Sequence, residues 1–164
     1  MMKSKMKYHV ITIGKIKEAY LTAGMDEFLK RLRPYGQVEI TVLPEEKMPD
    51  KPSAADKKRI LDIEGEKLLR HVREGSFLFV LDVQGTLISS EAMAEKFSEL
   101  AVYGCSELSF IIGGPFGLSD TIRRRADLRI SFGRITLTHQ MIRLLLLEQI
   151  YRAIKIGRHE PYHL

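Results

Sequence analysis

Three stretches of this chain, residues 8–13, 77–83 and 108–112, are runs of five to seven mostly apolar residues bounded by turn signals. Apolar character at nearly every position of runs this short suits strands covered on both faces. Between them lie segments with apolar residues at helical spacing. Residues 17–33 place Tyr20, Met25, Phe28, Leu29 and Leu32 on one side and are closed by Pro34. Residues 56–74 turn Ile60, Leu61, Ile63, Leu68, Leu69 and Val72 inward and stop at Gly75. Residues 90–103 begin with a capping Ser90 and Glu91 and end at Gly104. Two weaker strands complete the pattern: 37–43, which alternates, and 130–137. Strand and helix therefore alternate throughout, which predicts an α/β fold with a mostly parallel sheet flanked by helices.

The chain has 164 residues and reads as one domain over 1–164. Residues 44–55, with three prolines, form a loop, because the part before them is too short to fold alone. The dipeptide Gln84-Gly85 with Thr86 reads as a turn. Cys105 is the single cysteine, so no internal disulfide framework exists. The start, MMKSKMKYHVITIG, lacks the long apolar core of a signal peptide, and no run is long enough to cross a bilayer. The expectation is a cytoplasmic protein with no membrane association and no metal site.

Charge is unevenly distributed. Net charge is +5, yet residues 121–164 alone carry +6, from eight Arg and one Lys against Asp127, Glu148 and Glu160. A phosphate-rich partner matches such asymmetry, with Arg123, Arg124 and Arg125 as the densest group, although a solvated helix face accounts for the triplet equally well.

Ligands of parallel sheets bind beyond the carboxyl ends of the strands. Three exits suit this: 82–85, the glycine-rich 113–117 (GGPFG), and 133–139. Neither the nucleotide P-loop pattern nor the G-x-G-x-x-G dinucleotide pattern occurs, which argues against triphosphate hydrolysis and a standard dinucleotide site. The last helix contains a conflict. At 100° per residue, Leu144, Leu146, Leu147, Ile150, Tyr151, Ala153 and Ile154 form one stripe, and Arg143 points into it. A buried guanidinium must meet an acid, backbone carbonyls or a ligand phosphate, and pairing across a subunit interface and direct catalysis both stay open. The wide stripe also makes a homodimer interface plausible. His139 falls in the first turn of that helix, where capping or packing competes with ligand binding. The tail, GRHEPYHL, is polar yet holds two His, a Glu and a Tyr within five residues.

The segments ITIGKIKEAY, IGGPFGLSD, ISFGRITLTHQMIRLLLLEQIYRAIKI and GRHEPYHL together resemble the RlmH family, the large-subunit ribosomal RNA pseudouridine N3-methyltransferases of the SPOUT superfamily. The similarity covers the chain from Met6 on. It implies a SPOUT-type α/β fold with a C-terminal trefoil knot, a homodimer with an active site shared between subunits, and S-adenosyl-L-methionine as methyl donor. By the family's pattern the cofactor pocket maps to Leu81, Gly113, Phe132, Gly133, Arg134, Ile135, Thr136 and Leu137. The implied substrate is N3 of a pseudouridine in helix 69 of 23S rRNA, within the assembled 70S ribosome. Arg143, His159, Tyr162 and His163 become candidates for binding the nucleotide or steering its proton, and Arg123, Arg124 and Arg125 for contacting RNA phosphates.

Two positions depart from the family's pattern. Thr138 stands where proline is usual, and His159 where glycine is usual. Thr138 can cap the following helix. His159 bears on the tail's conformation. A non-catalytic ribosome-binding factor would share the basic face without an open cofactor pocket, and a transfer RNA methyltransferase would keep the pocket and change the tail.

Overall fold

The computed structural model describes residues 5–164. Residues 1–4, part of the basic start discussed above, lie outside the described residues. The elements alternate as expected: β1 (Met6–Ile13), α1 (Ala19–Leu32), β2 (Gly36–Leu43), α2 (Ala54–Arg70), β3 (Phe77–Leu87), α3 (Ser90–Val102), β4 (Glu107–Ile112), α4 (Asp120–Arg125), β5 (Leu128–Ser131) and α5 (Met141–Gly157). The five strands form one sheet in the order β2-β1-β4-β3-β5, and every pairing is parallel.

Alternation along each strand divides the apolar residues between two layers. Tyr8 and Val10 of β1, Phe79 of β3, and Leu108 and Phe110 of β4 share a core with Leu32, Phe97, Leu146, Leu147 and Ile150, so α1, α3 and α5 cover that face. Ile11, Ile13, Leu78, Val80 and Ile111 point the other way and pack with Leu68, Leu118 and Ile122, under α2 and α4. Phe79 and Phe110 stack across neighbouring strands, centroids 4.9 Å apart and only 8° from parallel. Aromatic contact of this kind adds about 0.5–1.5 kcal/mol to simple burial.

Local signals set several boundaries. Ser53 and Asp56 form a reciprocal capping box that starts α2 two residues earlier than its apolar spacing suggests. Ser89, one position before the expected Ser90, caps α3 by accepting from the Ala92 N–H. Ser119 caps α4 by accepting from the Ile122 N–H.

Two expectations need correction. The strand expected at 130–137 ends at Ser131, because the Ser131 hydroxyl accepts from the Gly133 N–H, and Gly133 takes φ +129°, outside the extended region. Residues 132–137, apolar as several are, continue as irregular chain. The turn expected at 84–86 is instead a bulge within a longer β3. Leu81 and Thr86 both pair opposite Ile130, so residues 82–85 bow out between them. Gly85 sits in the bow, where a Cβ would come within 2.7 Å of the Arg129 carbonyl carbon.

Candidate methyl-donor site and its surroundings

Strand order 2-1-4-3-5 puts the topological switch between β1 and β4: the chain leaves β1 towards β2 on one side, and leaves β4 towards β5 on the other. A crevice beyond the carboxyl ends of the strands is the expected result. A cavity of about 950 Å³ lies there. Most of its wall comes from four strand exits: Glu18, Tyr20 and Leu21 after β1, residues 81–84 of β3, residues 112–115, 117 and 118 at the end of β4, and much of 130–140 after β5.

The glycine loop after β4 is shaped from within. The Gly117 N–H donates to the Gly114 carbonyl at 3.1 Å, and Gly117 has φ +97°. A Cβ on Gly113 would stand 2.5 Å from the Gly117 oxygen, so the turn itself excludes any side chain there. Next to it, the bulge of β3 presents Asp82, which is buried and accepts three hydrogen bonds: Gln84 N–H at 3.0 Å, Arg129 Nη1 at 3.1 Å and Arg123 Nε at 3.2 Å. Burial works against its charge, but these donors outweigh burial and hold the carboxyl below the usual aspartate range. Asp82 thereby ties α4 and β5 to β3 at the cavity wall. In the sequence it is visible as a lone carboxylate opening the 82–85 strand exit, with nothing nearby to name its arginine partners.

The irregular segment after β5 supplies most of the remaining wall. Phe132, Gly133, Ile135, Thr136 and Leu137 line the cavity together with Leu81 and Gly113, whereas Arg134 is exposed and does not. The Thr138 hydroxyl accepts from the Met141 N–H at 3.1 Å and so caps the approach to α5, as its chemistry suggested. His139 precedes α5 rather than forming its first turn, because α5 begins at Met141. It lines the cavity; its Nε2 is buried with no hydrogen-bond partner among the described residues and lies 3.9 Å from Glu45. Burial, reinforced by Arg143 and opposed by Glu45, holds the imidazole below its ordinary pKa.

The four catalytic candidates lie elsewhere in the chain. Arg143 is 1% exposed, and its Nη2 donates to the Ile13 carbonyl at 2.5 Å, which is one of the partners that its position in an apolar stripe demanded. Among cavity-lining residues it does not appear. The apolar stripe of α5, expected to be available for a partner subunit, is largely used within the chain: Leu146, Leu147, Ile150 and Ala153 are buried against the sheet and neighbouring helices. The tail folds back along α5. The Tyr162 hydroxyl donates to Glu148 at 2.9 Å, and its ring meets Tyr151 edge-on at 4.7 Å. Burial and that carboxylate raise the phenol's pKa. His163 bonds Glu91 at 2.7 Å and Arg152 at 3.1 Å. Glu160 bonds Lys155, Arg158 and Tyr35, whose hydrogen bonds bring its pKa down to about 2.

His159 closes α5 in the left-handed conformation, φ +56°. Its N–H donates to the Ile156 carbonyl and the Glu160 N–H to the Lys155 carbonyl, the paired bonds of a Schellman cap. A glycine is the usual occupant of such a position, so the backbone here keeps the shape that glycine favours. Arg123 is held by Asp82 and Asp120, Arg125 lies 3.7 Å from Asp127, and Arg124 is exposed.

The family described as "Predicted SPOUT methyltransferase" matches residues 6–163. This chain belongs to the SPOUT methyltransferase family. Within it, the chain is 49% identical to the ribosomal RNA large subunit methyltransferase H of Moorella thermoacetica over 154 residues, covering 94% of this chain and 96% of that one. The protein of the same name from Clostridioides difficile is 49% identical over 158 residues, covering 96% of this chain and 99% of the relative. That from Halothermothrix orenii is 46% identical over equal shares. Among solved structures, a probable methylase family protein from Haemophilus influenzae Rd KW20 aligns with 98% of this chain and 71% of its own, with a TM-score of 0.51 and 13% identity, a likeness of fold. Membership of a methyltransferase family implies a methyl-donor cofactor. No helix among the described residues is long and apolar enough to cross a membrane.

Proposed function

We propose that this chain is a ribosomal RNA methyltransferase that moves a methyl group from S-adenosyl-L-methionine to N3 of a pseudouridine in helix 69 of 23S rRNA, working on the assembled 70S ribosome. The observation that carries the reading is the cavity at the strand exits, whose wall holds seven of the eight residues carried over from the family's cofactor pattern. Its volume, about 950 Å³, lies within the range of small-molecule sites, and its walls mix apolar side chains with irregular backbone. The orphaned Nε2 of His139 also fits a site that receives a polar ligand.

Leu81, Phe132, Ile135 and Leu137 would hold the apolar parts of the donor, and the backbone of 113–114 and 132–137 would supply hydrogen bonds to its polar parts. When bound, S-adenosylmethionine supplies an electrophilic methyl on a sulfonium. The protein's task is then to hold N3 in line and to help its weakly acidic proton leave. Of the four candidates, Arg143 donates to Ile13, Tyr162 and His163 bond Glu148 of α5 and Glu91 of α3, and none of the four lines the cavity. A homodimer in which one subunit's tail meets its partner's cavity accounts for that separation, and the family's knot and cytoplasmic location are carried over with it.

The test combines calorimetric titration of the purified protein with S-adenosylmethionine and mass spectrometry of nuclease-digested 23S rRNA after incubation with ribosomes. Saturable binding and a methyl on the pseudouridine base of helix 69 are the expected results. Binding with methylation of another nucleotide would replace the substrate, and absence of binding by a folded dimer would remove the enzyme reading.

A further inference from the structure

The segment between β1 and the first turn of α1, GKIKEAY, lends Glu18 and Tyr20 to the cavity's edge, and neither belongs to the cofactor pattern carried over from the family. Tyr20 lines the cavity and is nonetheless 63% exposed, so its ring stands at the rim with one side in solvent. Lys15 and Lys17 are exposed beside it, and neither has a carboxylate within 4.0 Å among the described residues. The segment is held in place: the Lys17 N–H points to the Gln140 carboxamide oxygen at 3.4 Å, joining it to the turn on the other side of the mouth, and Leu21 is buried. The three arginines of α4 contrast with these lysines, since two of them already face acids. Glu18 is the one acid of the segment, leaving it a net positive charge.

We propose that Tyr20 is a stacking platform for a nucleobase of the RNA at the cavity mouth, with Lys15 and Lys17 contacting the adjoining phosphates. This rests on the RNA-methyltransferase reading above. An exposed aromatic ring flanked by unpaired cations is the combination that holds an unstacked base, because every base offers a π-face and every linkage a negative charge. A surface awaiting a protein partner needs no such row of free cations. The placement at the rim also explains why a large ring here is left uncovered by the chain's own core.

Tyr20→Ala, Tyr20→Leu and Tyr20→Phe are compared by transfer of labelled methyl from S-adenosylmethionine to 70S ribosomes, by co-sedimentation with ribosomes, by calorimetry with S-adenosylmethionine and by sedimentation velocity. The Ala and Leu variants should raise the KM for ribosomes and weaken co-sedimentation roughly 5- to 100-fold, the range for loss of one stacked base. Tyr20→Phe should restore both, while cofactor affinity and oligomeric state stay as in the parent. Replacing Lys15 and Lys17 by Gln should flatten the dependence of log binding on log salt by about 0.7–0.9 per residue. Unchanged ribosome binding in Tyr20→Ala overturns the proposal. So does a changed sedimentation coefficient, which would mean that a second copy covers the ring, or a loss confined to cofactor affinity. If the parent protein methylates nothing, the functional reading fails, while co-sedimentation still decides the role of Tyr20.

Discussion

Arg143 and Ile13 are 130 positions apart in sequence, and the guanidinium of one donates to the main-chain carbonyl of the other at 2.5 Å inside the protein. The bond fastens the start of α5 to the end of β1, on the side of the sheet where the cavity opens. The Arg143 Nε has no hydrogen-bond partner among the described residues, and burial lowers the guanidinium's pKa, with Glu45 opposing that effect. Replacing Arg143 by Met keeps much of the volume but strands the carbonyl. We expect a loss of about 1–3 kcal/mol, read as a lower urea midpoint at unchanged m value. An Arg143→Met protein as stable as the parent would show that the bond contributes nothing.

The glycine loop yields a prediction with an internal control. A Cβ at Gly113 would lie 2.5 Å from the Gly117 oxygen, whereas one at Gly114 would lie 3.3 Å from Ile13 Cγ2. Gly113→Ala should therefore cost about 1–3 kcal/mol, and Gly114→Ala clearly less. Thermal unfolding of the two variants side by side checks the order; equal melting temperatures would mean that the turn is softer than its geometry.

At the other end of α5, His159 occupies a left-handed position that disfavours any side chain. His159→Gly should stabilise the protein by roughly 0.5–1 kcal/mol, a rise of about 2–4 °C per kcal/mol for a chain of this size. His159→Val should do the opposite, since a β-branched residue suits that conformation least. Differential scanning calorimetry resolves both.

His9 provides the pH dependence. Its ring is buried, bonds Thr41 at 2.7 Å, and is held below the ordinary histidine pKa by burial, with Glu39 and Glu107 opposing and Arg73 and His71 reinforcing that effect. The unfolded chain thus binds its proton first as pH falls, and stability must decline below about pH 6.5. His9→Gln should flatten that part of the stability profile, measured by urea unfolding between pH 5 and 8. A parallel profile in the variant would assign the slope to other groups.

The layers of the fold were legible because they rest on local periodicity. Alternation in 8–13 and 77–83 sends residues such as Val10 and Ile11 to opposite faces, and the helical stripes match one face or the other whatever the strand order. What failed was local chemistry overridden by neighbours. Nothing within residues 84–86 announces a bulge, because it depends on Ile130 serving two partners. Nothing in the composition of 132–137 announces the strand's end, which is set by the Ser131 hydroxyl accepting from the Gly133 N–H and by the φ of Gly133.

The candidate site divides along the same line. Glycine content and apolar exits marked the cavity wall, but Asp82 and Tyr20 gained their significance only from position. Asp82 is an ordinary acid until Arg123 and Arg129, some 40 residues on, converge on it. Tyr20 reads as one more apolar residue of a helix until the fold leaves it on the rim. By itself the sequence determined the alternation of elements, the two buried faces and the need of Arg143 for a partner, since each follows from spacing and from the cost of burying charge. The strand order, the crevice between β1 and β4, and the carbonyl that Arg143 meets were decided only in the tertiary structure, because they depend on contacts between residues that lie far apart in the chain.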